Sequence, residues 1–177
     1  MGRGKNLDGL RNLPMNVLAE VVREGEVRLA AQFEAANSAD QRAVAWFGFL
    51  VTLVLGSLGG AATLFATGQY IAVAYEMFIF SAALIVAAVR AIQCIRPAGF
   101  AFPGNLPENW LPECWDQDSP RDLRQARIEQ ARSLNNCIDD NRRWAEANGR
   151  RLRSSIDITI FSLAAIVLAV AMTLPAA

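Results

Sequence analysis

The chain has 177 residues, 53 % of them hydrophobic, and 17 Lys and Arg balance 17 Asp and Glu. That length allows one or two small domains. The absence of histidine removes His-based acid–base catalysis, Ser-His-Asp and Cys-His arrangements, and every His-containing zinc site.

The charges are segregated along the chain. Residues 1–42 carry six basic and six acidic residues, residues 97–120 carry four acids and no base, and residues 121–153 carry nine arginines against five acids. Between Ala43 and Val89 the single charged residue is Glu76. Such segregation predicts a membrane protein rather than a soluble core. The cysteines Cys94, Cys114 and Cys137 are odd in number and lack CxxC spacing. They point to reduced thiols on a cytoplasmic side.

In chain order, residues 1–42 are expected to form a cytoplasmic amphipathic helix. Leu18, Val22, Leu29, Phe33 and Ala36 recur at three- to four-residue steps, with Gly25 in the gap. These polar or amphipathic residues precede the first apolar run, which argues against a secretory signal peptide. Nothing breaks the pattern before Ala43, so one helix from about Met15 to Thr67 is predicted. It would be about 80 Å long, a stalk standing out of the membrane.

A crossing helix needs about 20 apolar residues. Ala43 to Thr67 supplies the first span and Ile71 to Val89 the second, with Gly68 and Gln69 as a tight turn. Residues 43–95 thus read as a transmembrane hairpin; the competing reading is a buried hairpin of a soluble protein. Residues 96–119 hold Pro97, Pro103, Pro107 and Pro112, with Pro120 directly after, and read as an irregular cytoplasmic linker. Its aromatics Phe100, Phe102, Trp110 and Trp115 are expected to anchor at the membrane surface or pack on the stalk, or else to form a loop that binds a partner or ligand. Residues 120–155 form a basic helix, capped by Ser119, Pro120 and Asp122, with an apolar face of Leu123, Ile128, Ala131, Leu134, Ile138 and Ala145. Asn148-Gly149 either ends or weakens it. Residues 156–177 hold the third span, Ile156 to Leu174, with Asp157 at its entrance and Pro175 closing it. The expected fold is all-α: a polytopic membrane protein with three transmembrane helices and long cytoplasmic helical extensions.

Arg42, Arg90, Arg96, Arg150, Arg151 and Arg153 flank one side of the spans, and the hairpin turn and C-terminal tail carry no basic residue. By the positive-inside rule the N-terminus is cytoplasmic and the C-terminus outward, in a multi-pass protein of the inner membrane.

Glu76 has two readings. It is solvated at the outer headgroups, or it faces a water-filled path and, repeated by symmetry, forms an acidic ring favouring cations. Arg90 lies 14 residues away, about 21 Å along one helix, so both backbones cannot lie outside a ~30 Å core. Arg153 and Asp157, four residues apart, are candidates for an ion pair or, with Arg90, a gating latch. Gly48, Thr52, Gly56 and Gly60 are spaced for close helix packing, with Ala83, Ala87 and Ala91 as a matching ridge. Arg142, Arg143, Arg150, Arg151 and Arg153, in several copies, would hold a nucleotide or short nucleic acid by its phosphates. No catalytic motif, metal motif or cofactor loop is present, and an enzyme is not expected.

The stretch NSADQRA, Asn37 to Ala43, and the order stalk, hairpin, cytoplasmic helix resemble small helical membrane effectors of bacterial anti-phage systems, of the Pycsar transmembrane, SLATT and Hailong kind. The resemblance covers residues 15–95; the third span and proline-rich linker depart from it. It implies an oligomeric effector that disrupts the inner membrane on infection, under a signal made by a partner nucleotidyltransferase. The expected function is therefore a homo-oligomeric gated ion-conducting pore, a tetramer being the copy number assumed. The alternative is a membrane anchor or scaffold holding a cytoplasmic partner.

Overall fold

The structure, a computed structural model, describes residues 7–95, 99–104 and 121–173, the side chains of residues 121 and 122 excepted. The cap at Ser119, Pro120 and Asp122, the aromatics Trp110 and Trp115, Cys114, Arg96, and Pro97, Pro107, Pro112 and Pro175 lie outside the described residues or side chains.

All regular structure among the described residues is helical. A short 3-10 turn, Asp8–Asn12, precedes α1 (Met15–Thr67), α2 (Ile71–Ile95) and α3 (Arg121–Thr173). Each of the three α-helices contains a stretch long and apolar enough to cross a membrane, and the chain is an all-α membrane protein. α1 and α3 are each 53 residues long. α1 starts after Pro14, whose carbonyl accepts a hydrogen bond from Leu18 N (2.9 Å). It ends where Gly68 takes a left-handed φ of 67°, with Gly68 N donating to Phe65 O. Tyr70 follows at φ 51°, and its carbonyl receives the Ala74 amide as α2 begins. The short turn therefore forces α2 back beside α1. Asn148-Gly149 does not end α3, which runs on through both residues.

The chain divides into two compact units, Met1–Ala36 with Gly99–Trp144, and Asn37–Ala98 with Ala145–Ala177. In the first, Leu18, Val22 and Leu29 of α1 pack with Ile128, Ala131 and Leu134 of α3, and Leu10 closes one end. A Cβ on Gly25 would lie 3.1 Å from Leu134 Cδ1. The gap in the apolar pattern of α1 is thus where Leu134 seats. Leu123 and Ala145, both expected on the apolar face of α3, are exposed instead. The segment 99–104 lies on the same unit. Phe102 and Phe100 pack on Phe33, with ring centroids at 5.3 and 6.2 Å, and Phe100 also meets Trp144. Buried Asn141 accepts from Ala101 N and donates to Ala101 O, both at 3.0 Å. Phe100 and Phe102 thus contact α1 through Phe33, and Phe102 keeps most of its surface exposed.

In the second unit, Leu50 of α1 meets Leu84, Ala87, Ala88 and Ala91 of α2, with Ile158 of α3 packed against them. Ala87 and Ala91 of the alanine ridge on α2 therefore pack with Leu50 and Ile158.

Candidate functional site: polar groups within the apolar helices

In an apolar helix a polar side chain is costly unless bonded. The second unit shows which of its polar groups are satisfied internally. Ser57 of α1 and Ser81 of α2 are buried and their hydroxyls lie 2.6 Å apart. Trp46 Nε1 donates to Ser155 Oγ (2.9 Å), and Ser155 Oγ donates to Ala87 O (2.7 Å). One fully buried hydroxyl thereby ties α1, α2 and α3 at a common level. One to two turns along, Asn148 Nδ2 donates to Cys94 O (3.1 Å) and Arg151 Nη1 to Asn148 Oδ1 (3.0 Å). Beside them on α1, burial raises the carboxyl of Asp40 above the usual range.

Glu76 is the exception. It sits half-buried on α2, and its Oε2 is buried with no hydrogen-bond partner among the described residues. Eleven residues separate it from Ala87, about 16 Å along the helix axis. It is thus well removed from the Trp46–Ser155–Ala87 layer. A buried carboxyl oxygen in such a place calls for water, a cation or another protein group.

The glycine stripe divides. At Gly60 a Cβ would come within 2.6 Å of Met77 Cε, so this glycine is where α2 approaches α1. At Gly48 and Gly56 a Cβ would meet nothing within 4 Å, and Thr52 is exposed, its hydroxyl bonded to Gly48 O of its own helix. Within one chain, only Gly60 of the four packs against another helix.

The arginines separate as well. Arg142 pairs with Asp139 (3.2 Å) and Arg143 with Asp140 (3.6 Å) in the first unit. Arg151 is engaged with Asn148. Arg150 and Arg153, with Asp157, line one concavity of about 440 Å³ on α3. Arg153 and Asp157 share a helix face, yet among the described residues they form no ion pair. Arg90 is exposed on α2, also without an ion-pair partner among the described residues.

Sequence reasoning missed Ser57, Ser81, Ser155, Asn141 and Asn148. The available signal was a small polar residue inside each apolar stripe, which shows a polar group but not its partner. Compared with protein-family models, curated proteins and solved structures, the chain matches none.

Proposed function

We propose that several copies of this chain assemble into a gated ion-conducting pore and that Glu76 lines the conducting path. The observation that carries this reading is the buried, unpartnered Oε2 of Glu76 in an otherwise apolar span. Tryptophan favours the membrane–water interface, so the Trp46–Ser155–Ala87 layer is taken as the cytoplasmic boundary of the hydrocarbon. With a core ~30 Å thick, Glu76 then lies near mid-depth rather than at the outer headgroups. A carboxyl group at that depth is favoured where it meets water or a cation in a pore. Three helices are too few to enclose a pore, so conduction needs a homo-oligomer.

On this reading the N-terminus and residues 96–155 are cytoplasmic and the C-terminus faces outward, since Arg42, Arg90, Arg150, Arg151 and Arg153 gather on one side. Arg90, Arg153 and Asp157, placed just at that boundary, act as the gate. Arg142, Arg143, Arg150, Arg151 and Arg153, multiplied by symmetry, receive an anionic nucleotide or short nucleic acid. The resemblance of Asn37 to Ala43 and of the helix order to anti-phage effectors supports the wider role. In that role the pore disrupts the bacterial inner membrane under a signal made by a partner nucleotidyltransferase.

The runner-up is a membrane anchor holding a cytoplasmic partner. It is favoured by the first unit, whose Phe102 is 68 % exposed beside a built helical surface. The two readings separate in reconstituted vesicles of purified protein. A pore gives ion flux with a cation preference that Glu76→Gln abolishes or reverses. An assembled wild-type protein that passes no ions, with or without added nucleotide, leaves the anchor standing and removes the pore.

A further inference from the structure

Among the described residues, every ion pair lies in the first unit, on Arg23, Arg132, Arg142 or Arg143. The second unit holds Asp157 together with Arg42, Arg90, Arg150, Arg151 and Arg153, and not one ion pair forms there among the described residues. Asp157 lies two residues, about 3 Å, beyond Ser155 into the apolar part of α3. A carboxylate placed there needs a cation. The nearest in sequence is Arg153, but a cation one turn before an anion is the less favourable order for a pair within one helix.

Taken over its whole circumference, the apolar window of α3 is the least covered of the three helices, 6 % buried against 17 % for α1 and 33 % for α2. Phe161 is 74 % exposed and Leu168 61 % exposed, with exposed Ala164 between them. Asp157, Phe161, Ala164 and Leu168 follow one another at steps of three and four residues, the spacing of a seam between two helices. Lipid chains would cover the apolar part of this stripe but would leave Asp157 without a cation. A second helix carrying its own Arg150 and Arg153 would serve both.

We propose that this face of α3, from Arg150 to Leu168, is the seat of a second copy of this chain, with Asp157 of each copy paired to Arg150 or Arg153 of its neighbour. The inference rests on the oligomeric reading above and names the surface that reading leaves open. In parallel neighbours Asp157 is offset from Arg153 by about one helical turn, roughly 6 Å, and from Arg150 by about two turns, roughly 10 Å, so Arg153 is the nearer partner for a guanidinium on its flexible stem. A carboxylate held this way also fixes the vertical register of the two helices.

The test uses the full chain in detergent and in vesicles of anionic phospholipid. Benzoyl-phenylalanine replaces Phe161, and photolysis products are read by mass, alongside the mass of the untreated complex. The expected result is a chain-to-chain adduct. Asp157→Arg, and separately Arg150→Asp with Arg153→Asp, each reduce its yield by about tenfold or more. Co-expression of the two oppositely charged chains restores it as a mixed adduct, which a variant that merely failed to fold would not give. An assembled protein whose Phe161 position captures only phospholipid, or whose adduct is indifferent to both charge reversals, overturns this interface while leaving the pore intact. A complex mass of a single chain overturns the oligomeric reading and this inference with it.

Discussion

At the scale of single residues, the chain separates polar groups that are satisfied from those that are not. Ser57, Ser81, Ser155 and Asn148 all find partners inside the second unit. Glu76 Oε2 does not. The pattern of an apolar run announced Glu76 at once, because a charge in such a run is conspicuous. It could not announce Ser155, because a serine near a span entrance looks like any other until the carbonyl of Ala87 is brought to it. Asp40 gives a pH-dependent prediction. Burial holds its carboxyl above the usual value, so the folded protein binds that proton more tightly than the unfolded chain. Its contribution favours folding below the ordinary aspartate range and is lost as pH rises through the raised folded value. Asp40→Asn is therefore expected to be more stable than the wild type at neutral pH, with the difference shrinking towards pH 4. Thermal unfolding in detergent across that interval checks it; equal shifts at all pH values would refute it.

At the scale of elements, two glycines on one helix system have opposite meanings. Gly68 ends α1 in the left-handed region, where nothing crowds its missing Cβ, so its role is purely conformational. Gly68→Ala is expected to cost about 1–2 kcal/mol through that φ alone. Gly56 is helical with open space around it, so Gly56→Ala is expected to cost the fold of a single chain nothing and to gain helix propensity. Unfolding of both variants in the same detergent gives the comparison, and equal losses would contradict it. The helix boundaries were legible because long apolar periodicity, Pro14 and Gly68 are local signals. At Asn148-Gly149 the sequence left two outcomes open, an end or a weakening, and α3 runs on through both residues. A buried asparagine with its side chain clasped to Cys94 is a tertiary fact, and it outweighs the roughly 1 kcal/mol penalty of an interior glycine.

At the scale of the whole molecule, the central expectation is the side of the membrane on which each part lies. With the N-terminus and residues 96–155 cytoplasmic, Cys137 on α3 and Cys114 are shielded from a membrane-impermeant maleimide added outside intact cells. Both become reactive when the membrane is opened from the cytoplasmic side. Labelling of Cys137 from outside would invert the orientation and move Arg90, Arg153 and Asp157 to the wrong face for a cytoplasmic signal. Since Cys137 is half-buried, the opened-membrane sample is the control that its thiol can react at all.

Sequence by itself determined the helical class, the three apolar stretches, the hairpin turn and the place of the one charge inside a span. Those are properties of consecutive residues: hydropathy, period, and the conformational preferences of Gly and Pro. Only the tertiary structure decided which small residues let helices approach, that Gly60 packs on Met77 while Gly48 and Gly56 have open space around them, and that Arg142 and Arg143 each lie beside an acid, Asp139 and Asp140, on the surface of their own helix. It also decided that Ser155 ties three helices while Asp157, two residues on, forms no ion pair among the described residues. Partnership depends on which side chains a fold brings within 3–4 Å, and residues brought together from 40 to 110 positions apart leave no local trace in the chain.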